Sequence, residues 1–209
     1  MFKTILRKIL LRLDQYREPN GLVVKGVRLI GGGSPTVRVG DYTYINDAKL
    51  YCWRKGFNLI IGNYCSVAAD VDIILGGEHD KEWVSTYPFF EKWGLEELRG
   101  QATSKCRGDI VVGSDVWIGH GVTILSGSTI GVGAIIAAGA VVRGDIPAYS
   151  IAAGVPARVI KARFSDEISH RLLATEWWNL TKDELMPYVQ YLNDPEEFIR
   201  QASKFKSDC

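Results

Sequence analysis

The 209-residue chain is short of sulfur and imidazole. It has two methionines, three histidines and four cysteines, and the cysteines at 52, 65, 106 and 209 form no CxxC pair. That spacing excludes a zinc ribbon and a disulfide framework and suits free thiols in a reducing, cytoplasmic compartment. No apolar run approaches the roughly 18 residues that span a bilayer. The opening stretch, MFKTILRKILLRLDQYR, lacks the long apolar core and small-residue cleavage site of a signal peptide. An excess of either charge is missing too: 25 Lys+Arg stand against 24 Asp+Glu, so nothing electrostatic argues for a nucleic-acid partner. There is no Walker motif, and the bare glycine run at 31–33 is weak as a phosphate loop. With 46% apolar and 23% charged residues the chain is neither disordered nor fibrous, and its length suits one domain with a small appendage.

Glycine, at 22 residues, is what the chain has in plenty, and a repeat explains it. Val112, Ile118, Ile124, Ile130, Ile136 and Val142 recur every six residues, with glycine following at 113, 119 and 131. Ile61, Val67 and Ile73 form a second run, and Val39 and Ile45 a third. On a helix six residues turn through about 600°, which scatters the aliphatics over three faces. On strands every sixth side chain points the same way. Six residues fit one short strand and a bend, and three such sides close a triangular coil. Stacked coils bury the aliphatics in ladders, giving a parallel β-helix of four to five coils of about eighteen residues each. The glycine just after the aliphatic, or Asn46, Gly62 and Asn63, is expected to supply the positive φ of each bend.

The chain divides accordingly. Residues 1–18 read as an amphipathic helix ending before Pro19, with Ile5, Ile9 and Leu13 on one stripe among Lys3, Arg7, Lys8 and Arg12. Docking on the body is the favoured reading of that stripe, and weak contact of residues 1–17 with the inner membrane surface the other. Residues 19–162 read as the β-helix, with a register break at 51–58. A thirty-residue interruption at 76–108 is rich in aromatics and therefore expected to be functional. Residues 163–209 read as helical, with Ser165 starting one helix, Thr181 and Glu184 forming a capping box, and Asp194 and Pro195 starting the last.

The run VVGSDVWIGHGVTILSGSTIGVGAIIAAGAVVRGDIPAYSIAAGVPARVIKARF resembles the hexapeptide-repeat acyltransferases. The loop GGEHDKEWVSTYPF and the segment RFSDEISHRLLATEWWNL resemble, more narrowly, the xenobiotic acetyltransferases and related polysaccharide O-acetyltransferases. The resemblance implies an all-β fold with appended helices: a left-handed parallel β-helix with a protruding loop and C-terminal helices. It implies acetyl-CoA as co-substrate, no metal, and a homotrimer whose active sites lie between neighbouring subunits. It also carries a role to His79, the general base that takes the acceptor hydroxyl's proton, a task that suits imidazole near neutral pH. Trp117, Gly119, Ala137, Ala138, Gly139, Arg143, Arg158 and Lys161 are the expected coenzyme contacts, with Arg163 as a further phosphate partner. Trp83 and Tyr87 are candidate walls of the acceptor pocket.

Other histidines and thiols read more plainly. His120 points outward by parity with Ile118, and His170 belongs to a solvated helix. Cys65 sits two before Val67 and reads as ladder packing, which leaves direct transfer in a ternary complex as the simplest mechanism. What orients the His79 ring stays open between Glu78, Asp80, Glu82 and a backbone carbonyl. The favoured acceptor is a hydroxyl of a sugar or polysaccharide precursor, and the alternative is a xenobiotic such as chloramphenicol or a streptogramin. A γ-type carbonic anhydrase needs three converging histidines that the spacing does not offer. A non-catalytic β-helix scaffold needs regular outward ladders and no such loop.

Overall fold

A computed structural model describes residues 25–95 and 104–202. The helix expected over 1–18, and Cys209, lie outside the described residues.

Five coils follow one another. The first is β1 (Val27–Ile30), β2 (Thr36–Val39) and β3 (Tyr44–Ile45), and the second is β4 (Ala48–Cys52), β5 (Asn58–Ile61) and β6 (Ser66–Val67). The third begins with β7 (Val71–Leu75). It is interrupted by the short strands β8 (Glu78–His79) and β9 (Ser104–Lys105), and closes with β10 (Ile110–Val112) and β11 (Trp117–Ile118). Then come β12 (Thr123–Leu125), β13 (Thr129–Ile130) and β14 (Ile135–Ile136), and last β15 (Val141–Val142), β16 (Asp145–Ile146) and β17 (Ser150–Ala153). Strands one coil apart pair in parallel and build three faces: A (β1, β4, β7, β12, β15), B (β2, β5, β10, β13, β16) and C (β3, β6, β11, β14, β17). A hairpin strand, β18 (Arg158–Ala162), extends face C antiparallel to β17.

The six-residue period is the reason. On face B, Val39, Ile61, Val112, Ile130 and Ile146 stand in register, and on face C Ile45, Val67, Ile118, Ile136 and Ala152 do. The unbroken series from Val112 to Val142 is at most 1% exposed at every sixth position. Each such side chain contributes about 1.5–3 kcal/mol by leaving water.

The bends differ from the expectation. Positive φ falls on the third residue after the aliphatic, not on the glycine next to it: Tyr42, Tyr64, Asp115, Gly133 and Tyr149 repeat this at the edge between faces B and C. The glycine next to the aliphatic serves close approach instead. A Cβ at Gly113 would lie 2.7 Å from the Val132 nitrogen, because successive coils touch backbone to backbone there.

The same B/C edge carries the C-terminal helices, α2 (Asp166–Thr175), α3 (Lys182–Leu185) and α4 (Pro195–Ala202). Their caps are the expected ones. The Ser165 hydroxyl accepts from the Ile168 N–H, Thr181 and Glu184 form a capping box, and the Asp194 carboxylate accepts from the N–H groups of Glu196 and Glu197. Docking uses the turn residues themselves. Asn63 Nδ2 donates to the Trp178 carbonyl at 2.8 Å, the Tyr64 hydroxyl donates to the Leu180 carbonyl at 2.8 Å, and the Lys182 N–H donates to the Tyr42 hydroxyl at 2.9 Å. Trp178 and Phe198 are buried in a second core against Val132 and Tyr149, so the tandem tryptophans are packing residues.

Candidate active site

The edge between faces A and B is where the regular coil fails. Its connections hold the glycine run after β1, the five residues after β4 and the long loop after β7, whereas the later coils cross it in two or three residues. The 51–58 register break and the loop are thus neighbours on one edge. The loop leaves the body as the β8–β9 hairpin, Glu78 facing Lys105 and His79 facing Ser104. Its base is tied down: Arg107 Nε donates to Glu78 Oε1 at 2.8 Å, the Arg107 N–H to Ser126 Oγ at 3.2 Å, and the Asp109 carboxylate accepts from both the N–H and the Nδ2 of Asn58 at 2.8 Å each.

His79 is exposed, and its Nδ1 lies 2.5 Å from the Thr86 carbonyl. A carbonyl only accepts, so the proton sits on Nδ1 and this contact leaves the Nε2 lone pair unused. A backbone carbonyl thus orients the ring; Glu78 is engaged by Arg107 instead. Tyr87 packs edge-on against Phe89 at 4.8 Å and Phe89 against Trp93 at 4.6 Å, within and beside the short helix α1 (Phe89–Trp93). Trp83 is half-buried in the same loop.

One residue escaped the sequence reading. Trp53, on the bulge after β4, lies against Gly77, where an added Cβ would come within 2.6 Å of the indole. It stacks near Tyr51, with centroids 6.1 Å apart, and stays 49% exposed. Only the register break hinted at it; contact with the residue two before His79 is a tertiary fact.

The expected coenzyme residues gather elsewhere. Trp117, 56% exposed, stands in the middle of an outward column on face C, with Tyr44 and Ser66 before it and Ile135, Ile151 and Lys161 after it in register. Ala137, Ala138 and Gly139 turn the neighbouring C/A edge, and space is open where a Gly139 side chain would stand. Arg158 and Lys161 are exposed on β18. Three expectations change. Gly119 is buried, with its Cβ position 2.6 Å from the Ala138 nitrogen, so coil stacking requires it and no open surface is left there. Arg143 lies on the A/B edge with the loop, apart from the face C column. Arg163 points away from both, holding Asp115 at 3.5 Å between the Tyr149 and Phe164 rings.

The histidines do not converge. His79 is on the A/B edge, His120 on the C/A edge 3.8 Å from Asp70, and His170 on α2. Among the described residues no three metal-ligating side chains cluster. Cys65 is fully buried and donates to the Gly113 carbonyl at 3.0 Å; burial pushes its thiol up to about 12, which keeps it un-ionised and inert. Among the described residues no helix is long and apolar enough to cross a membrane.

Comparison with known proteins places this geometry. The bacterial transferase hexapeptide (six repeats) family matches residues 109–144. A probable macrolide acetyltransferase of Lysinibacillus sphaericus is 41% identical over 155 residues, covering 71% of this chain and 86% of the relative. The virginiamycin A acetyltransferase of Staphylococcus aureus is 36% identical over 208 residues, 90% of this chain and 94% of the relative. The chain belongs to the hexapeptide-repeat acetyltransferases, in the branch that holds the xenobiotic acetyltransferases. A crystallised polysialic acid O-acetyltransferase, 18% identical with a TM-score of 0.51 over 66% of this chain and 59% of its own, shares the fold. As in the family, the β-helix of this acetyltransferase is left-handed. In this chain the outward Trp117 and the looped His79 stand on separate parts of one prism.

Proposed function

We propose that this acetyltransferase moves an acetyl group from acetyl-CoA to an acceptor hydroxyl by direct transfer, with His79 as general base. The observation that carries the proposal is the short Nδ1 contact to the Thr86 carbonyl, which presents Nε2 as the free base. Nε2 takes the hydroxyl proton as the oxygen attacks the thioester carbonyl carbon. The tetrahedral intermediate then expels the coenzyme thiolate, which recovers that proton from the imidazolium. No side-chain nucleophile is needed, in keeping with the protonated, buried Cys65.

The thioester arm follows the outward column from Trp117 past Ile135 and Ile151, with Lys161 and Arg158 at its charged end. That column spans three strand spacings of roughly 4.8 Å each. Open space at Gly139 supports the same path. Because His79 and this column occupy different parts of one prism, a complete site takes the loop of one copy and the column of another. A homotrimer of the family type supplies that arrangement.

A sugar hydroxyl is the first acceptor class. The half-exposed Trp53 and Tyr51 beside the loop, with Tyr87 and Trp83 within it, offer flat apolar walls of the kind on which pyranose rings stack. A second class, a hydroxylated antibiotic, is favoured by the names and coverage of the relatives by sequence. An acceptor screen that detects released thiol across sugars, nucleotide sugars, chloramphenicol, a macrolide and a streptogramin decides between them. His79→Ala is expected to lower kcat at least roughly 10²-fold on whichever acceptor turns over, with coenzyme binding unchanged. Retained turnover removes His79 from the mechanism. The pair Arg158→Ala and Lys161→Ala is expected to raise KM for acetyl-CoA and spare kcat.

A further inference from the structure

The body of the prism grips the two residues that precede His79. Gly77 lies against the Trp53 indole, where an added Cβ would come within 2.6 Å. Glu78 is held by Arg107, whose Nε donates to Oε1 at 2.8 Å and to Oε2 at 3.1 Å. His79 follows directly, on a β8–β9 hairpin only two residue pairs long. So short a hairpin cannot fix its own register, since even an isolated full hairpin is marginal in water.

Arg107 is itself fixed to the rigid coils. Its N–H donates to Ser126 Oγ at 3.2 Å, and the Gly127 N–H donates to the Gly108 carbonyl at 3.1 Å. A Cβ on Gly127 would lie 2.8 Å from the Arg107 Cβ, so the turn after β12 and the arginine touch closely. The contacts thus run from the fourth coil through Arg107 and Glu78 to the strand that carries the imidazole. The side chains of the pair are 49% and 39% exposed, and an ion pair so solvated adds little to stability. What it supplies is direction, because the guanidinium presents its donors in a rigid plane.

Resting on the reading of His79 as the base, we infer that Glu78 and Arg107 are positioning residues. They hold β8 in the register at which the His79 Nδ1–H meets the Thr86 carbonyl, and so keep Nε2 free of a proton.

Ring-nitrogen NMR on the full chain with isotopically labelled histidine reads the tautomer without acceptor or coenzyme. The His79 signals are those that vanish in His79→Ala. With the ring neutral, the wild-type proton is expected on Nδ1. Glu78→Ala and Arg107→Ala should each move His79 toward the Nε2–H form that an unconstrained imidazole prefers, and the double variant should move it no further than either single one. Glu78→Gln, whose amide oxygen still accepts from Arg107 Nε, should keep the wild-type form. Arg107→Lys, which keeps the charge without the planar fork, should not. Melting curves of all these variants should coincide with that of the wild type. On whichever acceptor turns over, Glu78→Ala is expected to lower kcat roughly tenfold at unchanged KM for acetyl-CoA. A wild-type ring protonated on Nε2 removes the base reading and the positioning role with it. A wild-type proton on Nδ1 that stays there in Glu78→Ala and Arg107→Ala overturns the positioning role alone, as does a tautomer change that only follows a fall in melting temperature.

Discussion

The B/C and A/B edges are built from the same strands and have opposite characters. At B/C the coils turn in three or four residues, with Tyr42, Tyr64, Asp115, Gly133 and Tyr149 in the left-handed region at one repeated position, the third after the aliphatic. There the backbones of successive coils touch, and the side chains at the turns hold the C-terminal helices. At A/B the connections vary from two residues to more than thirty, and the longest carries His79. One edge thus serves cohesion, and the other accommodates insertions. A coil needs register only where its neighbours stack on it, so an insertion that leaves the body between two strands does not disturb the ladders below. That freedom is what places a loop beside a rigid face.

Several changes would break or sharpen this contrast. The largest effect is expected within the ladders that both edges share: Ile136→Ala should lower unfolding stability by about 2–5 kcal/mol in denaturant titration, since a stacked column cannot collapse around the gap. Gly113→Ala at the B/C edge is expected to cost about 1–3 kcal/mol, because its Cβ meets the Val132 backbone. The matched change at the A/B edge, Gly32→Ala, meets nothing within 4 Å and should stay within about 0.5 kcal/mol. Equal costs at the two glycines would end the distinction. Tyr64→Phe, which removes the hydrogen bond to the Leu180 carbonyl, is expected to cost about 1 kcal/mol and to raise proteolysis of the C-terminal helices before that of the coils.

The smallest effect is one of pH. Burial holds the Asp115 carboxyl above its usual value of 3.8, against the pull of Arg163. A carboxyl raised in this way binds its proton more readily folded than unfolded. Its contribution to stability is therefore full below pH 3.8 and is lost as the pH rises through the folded value. The stability of the wild type relative to Asp115→Asn should decline over that rise, and a flat difference would show that Asp115 titrates as it does in the unfolded chain.

The ladders were legible in the sequence because the six-residue period is a property of one strand plus one bend and needs no knowledge of distant contacts. Helix starts at Ser165, Thr181 and Asp194 were legible for the same reason, their caps being closed within three residues. The glycines misled: a glycine beside an aliphatic looks like a flexible hinge, and only the next coil reveals that it is needed for contact. Arg163 misled likewise, since a basic run near the chain's end looks like a phosphate site until Asp115, 48 positions earlier, is seen to hold it.

The amino-acid order by itself determined the repeat, the inward columns and the position of His79 outside them, because these follow from periodicity and from where it stops. The tertiary structure alone decided that the Thr86 carbonyl turns the imidazole, that Trp53 stands against Gly77, and that His79 and the outward Trp117 column lie on different parts of the prism. The physical reason is that such relations are set between coils, where spacing along the chain carries no information about what a side chain will meet.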